Sequence, residues 1–145
     1  MDGVRLVRPV PNASDSTAYV YLDHDGLPNL NAWQKQFAHV ANGTHFLRGV
    51  EVTLRGTVEI HGGKTLSMER SDVRPAVLLQ SIEGRDKIAW DAANQSPQPL
   101  GPDERDSFAT LLARVREAGG TLDAVVTGPL KILGDAFVLE VRKLQ

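Results

Sequence analysis

Between Val50 and Ile60 the chain alternates. Val50, Val52, Leu54, Val58 and Ile60 take the even positions, Glu51, Thr53, Arg55, Thr57 and Glu59 the odd ones, and Gly56 interrupts the apolar series. A period of two over this length predicts a long, half-buried strand. The paired glycines of His61-Gly62-Gly63-Lys64 predict a hairpin turn, and residues 65–69, with Leu66 and Met68 apolar, predict the returning strand. After a loop at 71–75, residues 76–82 form a nearly continuous apolar run, the pattern of a strand covered on both faces. A turn at 83–86, a brief strand at 87–91 and a proline-bearing loop at 92–101 follow. An early proline with Asp103 and Glu104 suits the positive end of a helix opening at Pro102. Phe108, Leu111, Leu112 and Val115 form its apolar stripe, and Gly119-Gly120 stop it. Leu122, Ala124, Val126, Leu130 and Ile132 then share one face of a second long strand, broken at Gly128-Pro129. Pro129 cannot donate a ladder hydrogen bond, so an edge, a bulge or a bend is expected there. In the last strand Phe137, Leu139 and Val141 alternate with Val138, Glu140 and Arg142.

Upstream, Pro9, Pro11, Asn12, Ser14 and Ser16 favour an extended arm over residues 1–16. Residues 17–22 are β-branched and aromatic, the composition of a strand. A polar turn at 23–26 leads to a short helix that opens at Pro28, with Asn29 or Asn31 as its cap. Leu30, Trp33, Phe37 and Val40 fall on one face of it. No composition break separates these residues from the rest. A single domain over 1–145 is therefore expected, with the arm at 1–16, a strand-helix elaboration at 17–49 and a barrel at 50–143.

Three strands, a helix and two strands, with Gly56 inside the first, resemble the oligonucleotide/oligosaccharide-binding fold, or OB-fold. That resemblance implies a mainly β chain with helices, five strands curled into a Greek-key barrel and the helix between strands three and four at one end. Gly56 matches the bend of the first strand, and Gly128 suits another corner. The resemblance is one of element order alone, so it transfers no functional residue. An open α+β sheet with a helix across one face gives the same local pattern.

Composition narrows the chemistry. A chain of 145 residues, 41% hydrophobic and 23% charged, is ordinary for one globular domain. Its 16 Lys+Arg against 18 Asp+Glu leave a net charge of −2, which gives the whole molecule little attraction to polyanions. The absence of cysteine excludes disulfides, thiolate metal sites and a thiol nucleophile. No apolar run approaches the ~20 residues that span a bilayer, so a soluble chain is expected. The opening lacks the pattern of a signal peptide, but a chain whose leader had been removed would read the same, which leaves cytoplasm and export both open.

No motif specifies a reaction. Asp23-His24-Asp25-Gly26 fails as a calcium loop, because an alignment on Asp25-Gly26 puts Tyr21 and Ala32 at terminal ligand positions. His24, His39, His45 and His61 fit no local zinc spacing, and no nucleophile elbow, zincin helix or phosphate loop is present. No catalytic residue, metal or cofactor is expected. A single-strand nucleic-acid binder pairs a basic groove with stacking aromatics. The predicted strands over 50–82 contain no Phe, Tyr or Trp, and acids interleave with Arg55, Lys64, Arg70 and Arg74. The expected function is a non-enzymatic protein-interaction or assembly module, its partner another protein or a second copy. The contact residues are Arg74, Arg85, Lys87 and Trp90 on the loops at 70–75 and 84–101. Trp is enriched in binding hot spots, though core packing explains Trp33 better and Trp90 equally well. A single-stranded nucleic-acid binder and a small-molecule or glycan-binding barrel are the alternatives.

Overall fold

The computed structural model describes residues 3–10, 17–24, 26–40, 42 and 47–145. Both ends of the expected arm (1–2 and 11–16), together with Asp25 and His45, lie outside the described residues, as does the side chain of Val40. The order of elements is β1 (Val4–Pro9), β2 (Ala18–Leu22), α1 (Leu30–Val40), β3 (Val50–His61), β4 (Thr65–Arg70) and β5 (Val73–Ser81). A single 3-10 turn (Gly84–Asp86) precedes β6 (Trp90–Asp91), β7 (Ser96–Pro97), α2 (Pro102–Glu117), β8 (Thr121–Leu133), β9 (Ala136–Val141) and β10 (Lys143–Leu144).

Five of these strands close a barrel. β3 pairs antiparallel with β4, β4 with β5, β8 with β9 and β3 with β8, while β5 runs parallel to β9 and completes the ring. Among the described residues the chain is thus mainly β, with two α-helices and a closed, mixed five-stranded barrel. The alternation in β3 puts Leu54 and Val58 inside, where they meet Leu66, Met68, Val77, Leu79, Val126, Leu139 and Val141. Fully burying each such side chain stabilises by about 1.5–3 kcal/mol. Leu111 and Val115 of α2 enter the same core. Gly62 and Gly63, with φ of 60° and 77°, supply the left-handed residues of the three-residue connection between the paired His61 and Thr65.

Gly128 and Pro129 occupy the point at which β8 changes neighbours. On the side away from β3, β8 pairs with β10 at Val126 and Thr127 and with β9 from Leu130 onward. The missing N–H of Pro129 therefore costs no ladder bond on that side. A methyl on Gly128 would lie 1.6 Å from the carbonyl oxygen of Glu140, so the backbones of β8 and β9 touch there.

The sheet differs from expectation at two places. β5 starts at Val73, absorbing most of the loop expected at 71–75, and it buries Val73, Val77 and Leu79 while Gln80 and Ser81 stay exposed. It is a one-faced strand rather than one covered on both sides. The expected arm contains β1, which pairs with β2 through Leu6–Tyr21, Val7–Val20 and Arg8–Tyr19. Extended, β-branched sequence on both sides of the prolines makes that pairing available. Leu6, Val7, Tyr19 and Tyr21 are exposed on this hairpin, and the Arg8 guanidinium lies 6.0 Å from the Tyr21 ring centroid.

Helix α1 starts where Asn29 caps it, its side-chain oxygen accepting from Ala32 N–H at 3.1 Å. Leu30 and Trp33 are buried, so Trp33 is a packing residue. No helix among the described residues is long and apolar enough to cross a membrane.

Candidate functional site

A cleft of about 540 Å3 runs between α1 and the outside of the barrel. Leu30 and Gln34 line it from α1, Ile88 and Trp90 from the connection after β5, and Leu130 and Ile132 from β8. Arg48, just before β3, closes one end with its guanidinium 4.5 Å from the Trp90 ring centroid. A cation over an aromatic face contributes about 0.5–1 kcal/mol at an exposed site. Trp90 is half-buried and held by its own small hairpin, where it pairs with Pro97. The Asp91 carboxylate fastens that hairpin by accepting from Ala93 N–H, Asn94 N–H and the Asn94 amide. These bonds, led by the Asn94 amide, hold its acid below the usual range.

Of the four residues expected at a contact surface, Arg85, Lys87 and Trp90 line this cleft. Arg74 does not; it is exposed near the start of β5. The two cations at the cleft have different roles. Arg85 is 77% exposed and pairs with Glu83 at 2.7 Å, an arrangement worth little in solvent. Lys87 is 12% exposed and donates to Glu104 Oε2 at 2.7 Å and to the Pro99 carbonyl at 3.0 Å. It is a fastening inside the protein and presents no free charge.

That fastening extends across the fold. Glu104 also accepts from Gly101 N–H at 2.8 Å, closing the first turn of α2, and from Arg142 Nη1 at 3.2 Å. Arg142 grips Glu51 with two hydrogen bonds of 2.6 and 2.7 Å. Burial alone would raise the Glu104 acid, but Lys87, the Gly101 amide and Arg142 together outweigh it and hold it low. The Glu51 carboxylate is the main cause of the raised affinity of Arg142 for its proton.

A second charged group stands at the cleft wall. Lys131 Nζ reaches Asp86 Oδ2 at 2.5 Å and Glu140 Oε1 at 3.3 Å. Glu140 is 1% exposed. Burial, then the nearby Asp86 carboxylate, raise its acid above the usual range, against the pull of Lys131. Burial would lower Lys131, yet its bonds to Asp86 and Glu140 prevail and raise it.

A larger hollow of about 860 Å3 lies across β3, β4 and β8. Of its two arginines, Arg55 and Arg70, Arg70 is taken up by Asp72, at 2.7 and 2.8 Å, and by the Arg55 carbonyl at 2.6 Å. The Arg70 hydrogen bond in turn holds the Asp72 acid low. This surface is polar, with Arg70 and Asp72 paired on it.

Comparison adds no relative. No protein-family model matches the chain, and neither a curated protein nor a solved structure is significantly similar to it.

Among the described residues, no three His, Asp or Glu side chains gather as metal ligands. His24 bonds to Asp23 and His61 to Ser67, each at 2.7 Å. Sequence reasoning missed Arg48, the helix side of the cleft, and the group of Asp86, Lys131 and Glu140. The alternation of β9 places Glu140 on the outer face, which ordinarily means solvent. It is nonetheless buried, beside Lys131 and Asp86, and no local pattern announces that.

Proposed function

We propose that this chain is a non-enzymatic protein-interaction or assembly module built on an OB-like Greek-key barrel. The ring order of the strands supports the OB-like reading, with β3, β4, β5, β9 and β8 adjacent in turn, β5 parallel to β9, and α2 between the third and fourth barrel strands in sequence. The observation that carries the interaction reading is the β1–β2 hairpin. Leu6, Val7, Tyr19 and Tyr21 are four of the five large apolar side chains exposed among the described residues. A lone two-stranded ribbon is marginal in water, and clustered exposed apolar side chains mark contact surfaces. Leu6, Tyr19 and Tyr21 share one face of the ribbon, because Leu6 pairs with Tyr21 and Arg8 with Tyr19, and seating that face on a second protein surface would cover them.

Light scattering over a concentration series tests the assembly form. The full chain is expected to associate as concentration rises, and a Leu6→Ser/Tyr19→Ser variant to stay monomeric with unchanged melting. A full chain that is monomeric throughout would remove self-assembly, and equal association of both proteins would remove the hairpin as the contact.

The cleft supports a second reading, a small-molecule or glycan site, because its size falls within the usual range for ligand pockets, roughly 300–1,000 Å3. Trp90→Ala should then weaken ligand or partner binding with little change in melting. Single-stranded nucleic acid is less favoured. The barrel strands from Val50 to Ser81 offer no aromatic platform, and Arg70 is already committed to Asp72.

A further inference from the structure

The carboxyl of Glu140 presents a problem of charge. Its Oε1 meets Lys131, while Oε2 is buried with no hydrogen-bond partner among the described residues. The same ammonium is already bound more closely by Asp86. Two carboxylates thus meet one ammonium that is itself 40% exposed, and the buried anionic oxygen of Glu140, left without a donor, is costly. A protonated acid removes that cost, because it carries no charge and can donate to its neighbour. Paired carboxylates sharing a site commonly hold one proton between them.

We propose that Glu140 is protonated and donates to Asp86, and that this bond latches the 84–86 turn to the barrel wall and so sets the width of the cleft. The latch goes beyond the assembly reading and stands without it. Among the described residues, the charged groups facing the pair are Lys131 from β8 and, within the turn itself, Arg85 at 3.9 Å from Asp86. From β5 the ladder neighbour of Glu140 is the neutral Gln80. Glu140 belongs to β9, which is laddered to β5 and β8, so it cannot withdraw. Asp86 belongs to a single turn on the connection that also carries Lys87 and Trp90. Loss of the proton therefore displaces the turn, admits water to Oε2 and moves the Trp90 side of the cleft. Burial makes Glu140 a weaker acid, which agrees in direction with a proton retained above the usual glutamate range.

NMR of the full chain tests this, following the Glu140 carboxyl carbon and the Trp90 indole N–H from about pH 4 to about pH 9, a window that brackets ordinary and raised carboxyl values. Glu140 is expected to titrate above the ordinary glutamate value, with the Trp90 resonance shifting at the same midpoint. In Asp86→Asn the Glu140 midpoint should fall, and in Glu140→Gln the Trp90 shift should vanish while circular dichroism stays native. Asp86→Asn keeps the test decisive should Glu140→Gln fail to fold. An ordinary Glu140 midpoint, a Trp90 signal indifferent to it, or a Glu140 midpoint unmoved in Asp86→Asn would overturn the proposal.

Discussion

Replacing Gly128 by alanine places a methyl group where the backbone of β9 already passes. The new carbon would sit 1.6 Å from the Glu140 carbonyl oxygen, 2.8 Å from its carbonyl carbon and 3.2 Å from Arg142 N. Side-chain rotation cannot relieve contacts with backbone atoms, so β8 and β9 must part until the closest approach exceeds 3.0 Å. The parting strikes a crowded place: Arg142 N–H donates to the Thr127 carbonyl at 2.9 Å, and Val126, Leu139 and Val141 are fully buried beside it. Overpacking alone costs about 1–3 kcal/mol, and the endangered backbone hydrogen bond adds ~1 kcal/mol. A loss of roughly 3 kcal/mol is thus expected, about 6–12 °C in Tm for a domain of this size. Gly134→Ala is the control. Gly134 has a φ of 65° and open space around it, so its substitution carries only the left-handed backbone penalty of about 1–2 kcal/mol. Urea unfolding of both variants at constant slope gives the two differences directly. Gly128→Ala unfolding within ~1 kcal/mol of the parent would refute the close approach.

Further expectations concern the fastening around α2. Glu104 has its acid held below the ordinary value, so its stabilisation is complete above that value and is lost as pH falls through the lowered one. Glu104→Gln should accordingly lower stability at neutral pH and flatten the acid limb of the stability curve, measured by urea midpoints at stepped pH; an unaltered limb would contradict the network. Lys87→Met keeps the aliphatic stem but removes the bond to Glu104, with an expected loss of about 1.5–3 kcal/mol. Arg85→Ala, at a solvated pair, should change unfolding by no more than ~0.5 kcal/mol. Equal effects at the two positions would mean that Lys87 is no anchor.

Much of the barrel was legible because its strands carry their instructions locally. The alternation of β3 and β9, the Gly62-Gly63 turn and the apolar stripe of α2 each place side chains inside before any partner strand is known. Trp33 on its helix stripe was readable in the same way. The parallel closure of β5 on β9 was not, since it joins segments that share no local signal. The cleft was half-readable. Trp90 beside a proline-bearing loop drew attention to the right connection, but the spacing of charges could not separate Lys87, bound inward to Glu104, from Arg85, which is solvated. Arg74 was chosen by the same rule and lies away from the cleft, because a loop cation carries no record of what the chain packs beside it. Glu140 escaped notice because its burial beside Lys131 comes from tertiary packing that the alternation of β9 does not record.

The parallel ladder between β5 and β9 also governs how the ring can be assembled. β3, β4 and β5 form a meander from near neighbours, and β8 and β9 form a hairpin, so each group can arise early from short-range contacts. Joining them requires the whole intervening stretch to be drawn into a loop before the long β3–β8 ladder returns any energy. Helix α2 shortens that stretch by coiling part of it. The ring is therefore two local halves meeting across one costly seam, and that meeting is the expected slow step of folding. A cut in the exposed turn at residues 92–95 divides the chain between the same halves, giving two fragments with the pairing surfaces to reassociate.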